Sequence, residues 1–372
     1  MKTKMKFLLL FSLAAIIGFY SCSKDEDTVL PADEAKAEVT NAVNDMKGTV
    51  QDVMNAQAMQ AGIFMMSLEP DFGKSLVSHY AFVNPKDLVM FMSNPSKNKL
   101  FKPSYYAKHD IFPTGTYEYN FTTNVFDQTD QHDLLVIYFP SDQAAFDANT
   151  NDAELAITTF SYQTYNLYDS WDQTYYEVEV PTRLVAYIKV DNVSVFTVDY
   201  TASFQLSTNN EEIVPKSLAV TVTVNPYTFT MNYSGNNEEY TTSMSFSQGN
   251  DVIAEYNVTV KLTSDLWDEA PEKISGHIQF TPLKLKGFIN MFAVEQAANQ
   301  TPANVALMNE NISVTLIHVD INRTLGSVEA RAFVTDWGES IEPVLVYDDG
   351  TWQKLETIFQ PLVNEFDDLF SK

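Results

Sequence analysis

Between Arg183 and Leu262, apolar and polar side chains alternate almost without interruption. Val198, Tyr200, Ala202, Phe204 and Leu206 fall on one side of the chain, and Thr197, Asp199, Thr201, Ser203 and Gln205 on the other. Leu218, Val220, Val222 and Val224 oppose Ala219, Thr221 and Thr223 in the same way. Val252, Ala254, Tyr256, Val258, Val260 and Leu262 oppose Glu255, Asn257, Thr259 and Lys261. Successive side chains of a strand point to opposite faces, so these runs predict half-buried antiparallel strands. Polar clusters at 208–212, 234–238 and 248–251 supply the turns between them.

Elsewhere the period changes. From residue 35 to 66, apolar positions recur at three and four: Val39, Val43, Met46, Val50 and Val53, then Met54, Ala58, Ala61 and Met65. That spacing predicts an amphipathic helix with one buried face, weakened at Gly48 and Gly62. Residues 67–113 are punctuated by Pro70, Pro85, Pro95, Pro103 and Pro113 and read as irregular apart from a short helix at 85–92. Strand character starts at Gly115 and runs on through 273–281. Residues 285–298 (LKGFINMFAVEQAA) then read as a helix, followed by strands at 312–321, 327–335 and 343–347. Trp352, Leu355, Ile358, Phe359, Leu362, Val363, Phe366 and Phe370 share one face of a closing helix. The expectation is an α+β fold: a large curved antiparallel sheet, a meander tending towards a half-barrel, with N-terminal and C-terminal helices packed on one side.

The first thirty residues carry an address. Lys2, Lys4 and Lys6 precede the uncharged run FLLLFSLAAIIGFY, which is too short to span a bilayer comfortably, and Ser21 precedes Cys22, the chain's one cysteine. This resembles a bacterial lipoprotein signal, which implies cleavage before Cys22 and a diacylglycerol on its thiol. Phe19 and Tyr20 depart from the aliphatic and small residues usual there. The following Ser23, Lys24, Asp25, Glu26 and Asp27 resemble the acidic export run of Bacteroidetes lipoproteins, which implies display on the outer face of the outer membrane. The same residues also read as a solvated spacer. The organisation expected is a signal peptide at 1–21, a lipidated cysteine and acidic tether at 22–34, and an α+β domain at 35–372 with a sub-boundary near 113. A curled sheet holding helices also resembles, in architecture alone, the LolA/LppX-type half-barrels of lipid and lipoprotein carriers.

Charge narrows the partners. The chain has 23 basic and 49 acidic residues, a net charge of −26, and loss of residues 1–21 removes three lysines and no acids. Nucleic acid and bare anionic membranes are excluded as partners, since both demand clustered positive charge. With 45% hydrophobic and 13% aromatic residues the chain has the means to bury a core, and without a second cysteine that core rests on packing alone.

Motifs for chemistry are sparse. There is no G-x-S-x-G and no G-x-G, so nucleophile elbows, dinucleotide fingerprints and P-loops are missing. His79, His109, His132, His277 and His318 form no H-E-x-x-H. Asp127, Asp130, His132 and Asp133 crowd what reads as a loop, better suited to a hydrated acidic turn than to calcium, for want of the glycine turn. Glu177 and Glu179 share a strand face about 7 Å apart, a spacing usual for solvated pairs. The stretch YQTYNLYDSWDQTYYEVEV (162–180) is the most suggestive: Tyr162, Tyr165, Tyr168, Trp171, Tyr175 and Tyr176 crowd what reads as a loop with Asp169 and Asp172, and Tyr165, Tyr168, Asp169, Trp171, Asp172 and Tyr175 are the candidate binding residues. Ring faces beside carboxylates and amides suit a glycan or a protein partner; the competing reading is strand ends capping the sheet core. The function expected is a non-enzymatic, lipid-anchored envelope protein without cofactor or metal. It would be held in the outer membrane by the acyl chains on Cys22, face the exterior, and bind a glycan or surface protein. The alternative is a periplasmic lipid or lipoprotein carrier with a cavity lined by Met54, Met65, Phe359 and Phe366.

Overall fold

The computed structural model describes residues 29–54, 56–68, 114–170, 172–207, 210, 213–236, 238–262, 271–335 and 338–360. The signal segment, Cys22 with its acidic run, the helix expected at 85–92, Trp171 and Phe366 lie outside the described residues.

The described helices are α1 (Ala32–Met54), α2 (Gln57–Leu68), α3 (Gln143–Asp147), α4 (Met291–Ala298) and α5 (Val305–Glu310), with residues 355–360 also helical. The strands are β1 (Gly115–Asn120), β2 (Val125–Asp130), β3 (Leu135–Phe139), β4 (Ala153–Asp169), β5 (Thr174–Val190), β6 (Val193–Leu206), β7 (Ile213–Val224) and β8 (Tyr227–Gly235). They continue with β9 (Glu239–Gln248), β10 (Asp251–Leu262), β11 (Pro271–Phe280), β12 (Leu283–Ile289), β13 (Ile312–His318), β14 (Arg323–Thr335), β15 (Gly338–Val346) and β16 (Trp352–Lys354). Neighbouring strands follow chain order from β16 down to β3, then β1 and β2. The sheet is therefore an unclosed, mostly antiparallel meander with β2 and β16 as its edges; β1 lies parallel to β3. The fold is α+β, as the alternation predicts.

The chain divides into two compact units, one formed by the segment up to Val50 together with Tyr233 onward, the other by Gln51–Asn232. In the first, α1 buries Ala32, Ala35, Val39, Ala42 and Val43, a three-and-four stripe on one side of the helix. Asp33 and Glu34 in its first turn complement the helix dipole. This stripe shares one core with Val258 and Val260 of β10, Ile274 of β11, Ile289 of β12, Val314 and Leu316 of β13, and Leu325 and Val328 of β14. Val294 and Ala297 of α4, Met308 of α5, and Leu355 and Ile358 join the same core, so the helices of this unit bury one face of its strands.

One predicted helix is corrected. Residues 285–298 are half strand and half helix, because Leu283, Gly287 and Ile289 are buried while Lys284, Lys286 and Phe288 face the other way. Glycine inside a helix costs about 1 kcal/mol, whereas β12 is paired on both sides, to β11 and to β13. The helix starts only after Asn290, whose side chain caps it by accepting from the Ala293 N–H. The single helix expected over 35–66 is likewise two, α1 and α2, and neither Gly48 nor Gly62 marks the break.

A side chain completes the ladder where β13 stops short. Asn309 of α5 accepts from the Ala330 N–H (2.7 Å) and donates to the Ala330 carbonyl (3.1 Å), imitating a neighbouring strand. His318 ends β13, buried, with Nε2 3.3 Å from Glu38 of α1. It is a structural contact between helix and sheet.

In the second unit, α2 lies against β6 and buries Ala58, Met59, Ala61 and Met65. Asp191 and Asn192, both at positive φ, make the two-residue turn that joins β5 to β6. The predicted alternation of β7 holds throughout, with Leu218, Val220, Val222 and Val224 buried.

Candidate binding site

The longest ladder of the second unit carries the aromatic stretch. β4 and β5 pair from Ala153↔Val190 to Asp169↔Thr174. β3 pairs with β4 only over Ala153–Ala156, and β6 pairs with β5 only over Arg183–Val190, so residues 162–181 extend past both neighbouring ladders. Bulges between Ile157 and Thr159 and between Ser161 and Tyr162 mark the start of this extension, where they add local bend and twist. At its root, Arg183 grips Asp199 through both carboxylate oxygens and donates to the Tyr200 carbonyl (2.8 Å). The guanidinium holds the Asp199 carboxyl below its ordinary range. The hairpin is closed by Asp169, whose Oδ1 accepts from the Asp172 N–H (3.2 Å), and by Gln173 at φ 54°. The residues read as a crowded loop are thus mostly strand.

The two faces of this hairpin differ in kind. On the inner face Tyr165, Leu167, Val178 and Val180 form a small core with Ile213, against which Tyr176, Phe204 and Leu206 pack. Tyr165 is buried, and its hydroxyl donates to the Phe204 carbonyl (2.9 Å); burial pushes its pKa up, opposed by that hydrogen bond. The Tyr168 N–H donates to the Asn210 carbonyl (2.8 Å), fastening the β6–β7 connection to the hairpin. Tyr165 therefore serves packing, as the strand-end reading expects.

On the outer face the register sets Tyr162 opposite Pro181, Thr164 opposite Glu179, Asn166 opposite Glu177, and Tyr168 opposite Tyr175. The Tyr168 and Tyr175 rings stand 5.1 Å apart, tilted by 51°, and Tyr175 is 66% exposed. From Tyr162 to Tyr168 this face spans roughly 20 Å at the strand rise. It presents aromatic rings at both ends, with an amide, a hydroxyl and two carboxylates between. The structure so brings together Tyr168, Tyr175 and the Glu177/Glu179 pair, which the sequence suggested separately. It places Asp169 and Asp172 in the adjoining turn, while Trp171 lies outside the described residues. Thr164 and Asn166 were missed as members of this face; their period-two spacing with Tyr162 and Tyr168 was the signal.

The other suggested clusters resolve as structure. Asp127 and Asp130 belong to edge strand β2, where Asp127 accepts from the Asn120 amide (2.6 Å), and His132 sits 3.0 Å from the Thr116 hydroxyl. Among the described residues, no group of three or more His, Cys, Asp or Glu side chains could hold a metal ion, and no helix is long and apolar enough to cross a membrane. Of the residues offered for a carrier cavity, Met65 is buried in the second unit and Phe359, half-buried, packs against the core of the first. No known family model, no curated protein and no solved structure matches this chain.

Proposed function

We propose that this is a lipid-anchored, non-enzymatic outer-membrane protein that binds a glycan at the cell exterior through the outer face of the β4–β5 hairpin. The observation that carries this reading is the pairing of half-buried Tyr168 with exposed Tyr175, set beside Asn166, Glu177 and Thr164 on one face. Tyrosine rings offer flat apolar surface to sugar C–H groups at low entropic cost, while amide, hydroxyl and carboxylate groups accept or donate to sugar hydroxyls. Glu177 and Glu179, within a chain of net charge −26, repel anionic polysaccharides and leave neutral or amine-bearing glycans as the ligand class. The anchor is the acylated Cys22, and the run from Ser23 to Asp27 is the export signal.

Replacing both Tyr168 and Tyr175 with alanine is expected to weaken glycan binding by about 10- to 100-fold, the loss typical of an aromatic hot spot. Stability should fall by only about 0.2–1 kcal/mol, the worth of one cross-strand pair. The check is titration calorimetry on the strongest ligand from a glycan array, alongside urea unfolding. Equal affinity in the double variant would remove this face as the site.

A further inference from the structure

One end of the first unit carries an apolar rim with no part in its core. In a meander alternate turns fall at the same end, here the β9–β10, β11–β12 and β13–β14 turns. Hydrogen bonds join them sideways. Thr281 donates through its N–H to the Ile253 carbonyl (2.9 Å) and through its hydroxyl to the Val252 carbonyl (2.7 Å), and the Val319 N–H donates to the Pro282 carbonyl (2.8 Å). The N-terminal segment arrives at this same end, where Val29 bridges to Thr324 and the Leu30 N–H donates to the Thr324 carbonyl (2.9 Å). Four large apolar side chains stand exposed along it: Val29 (48%), Val252 (40%), Phe280 (45%) and Ile321 (48%). Of the unit's other exposed large apolar residues among those described, Phe292 and Val334 lie towards the opposite end of the strands, and Trp352 packs edge-on against Phe333.

We infer that this rim rests on the lipid surface that holds Cys22, with Val29, Val252, Phe280 and Ile321 seated at the boundary of headgroups and acyl chains. The inference rests on the lipidation of Cys22 proposed above. Only residues 23–28 separate Cys22 from Val29, so a fully extended chain reaches roughly 25 Å. A headgroup layer is about 5–7 Å deep, so the tether holds the end of the unit to which it is joined close above the bilayer. An apolar contact too weak to hold a free protein there becomes populated once the tether sets its local concentration. Electrostatic attraction is not the cause, because exposed Asp251 and Asp320 border the rim and Arg323 is the basic neighbour on β14. The contact is apolar and insensitive to salt.

The test uses the full lipoprotein extracted from its membrane and placed in phosphatidylcholine vesicles. Each sample carries one environment-sensitive label, on Phe280→Cys, Ile321→Cys or, at the opposite end of the unit, Glu238→Cys. The native thiol is acylated, so each introduced cysteine is the single reactive one. Blue-shifted emission and several-fold stronger quenching by doxyl-labelled lipid at 280 and 321 than at 238, unchanged in high salt, is the expected result. Equal quenching at all three positions in protein that floats with the vesicles would overturn the rim contact and leave the anchor standing. Protein that fails to float would overturn the anchor and the rim contact together.

Discussion

Cys22→Ser is expected to abolish incorporation of labelled acyl chains and to empty the outer-membrane fraction of this protein. The chain has one cysteine, so no other thiol can receive diacylglycerol. Each buried methylene contributes about 0.8 kcal/mol, and one myristoyl chain alone gives an association constant of only about 10⁴ M⁻¹, so stable anchoring draws on two chains. Electrostatic attraction would not substitute for them: the chain carries a net charge of −26, and an anionic leaflet repels such a domain. The proposed contact of the rim at Val29, Val252, Phe280 and Ile321 would act only within reach of the tether. Metabolic labelling with an alkyne fatty acid, followed by membrane fractionation of wild type and variant, is the check. Persistent labelling, or an unchanged outer-membrane pool, would show that Cys22 is not the anchor.

Gly287→Val is expected to destabilise the first unit by about 4 kcal/mol or more, at the upper end of what single substitutions do. Gly287 lies in β12 between Gly276 of β11 and Val314 of β13, on the face turned to the core. A Cβ there would stand 2.1 Å from the Ser313 carbonyl oxygen and 2.4 Å from the Val314 Cα. Both are backbone atoms of a paired strand, so relief requires β12 and β13 to separate and lose ladder hydrogen bonds. Across the ladder, Gly276 has φ 142°, a conformation that side-chain-bearing residues rarely adopt. Together the two glycines remove side chains from the surface of β11 and β12, and α4 packs there through Val294 and Ala297. Urea unfolding followed by tryptophan fluorescence reads the loss; an unchanged midpoint would show that the strands accommodate the methyl groups freely.

The sheet was legible because its strands bury one face. From Leu218 to Val224 of β7 every second residue is buried, and the sequence alternates to match. The period failed at bulges, where one extra residue shifts the register. Val252 alternates with its strand yet is exposed, because a bulge separates it from Ala254. It failed again at β12, where the short run Leu285, Phe288, Ile289 fits both a helix and a strand; the capping Asn290 and the interior Gly287 decide for the strand.

At the candidate site, composition identified the segment but not its sidedness. A one-residue shift moves a side chain to the other face of a strand, so Tyr165 went to the core while Tyr168 remained outside. Glu177 joins the tyrosines only through the pairing of β4 with β5, which no local pattern contains.

The most direct test of the account asks whether the hairpin faces the outside of the cell. Tyr175→Cys puts a thiol at a 66%-exposed position in a chain whose one native cysteine is acylated under the proposed reading. Intact cells are treated with a membrane-impermeant maleimide, and labelling is compared with that of lysed cells. Equal labelling before and after lysis is the result this account predicts. Labelling that occurs only after lysis would put the hairpin inside the envelope and contradict glycan binding at the cell exterior.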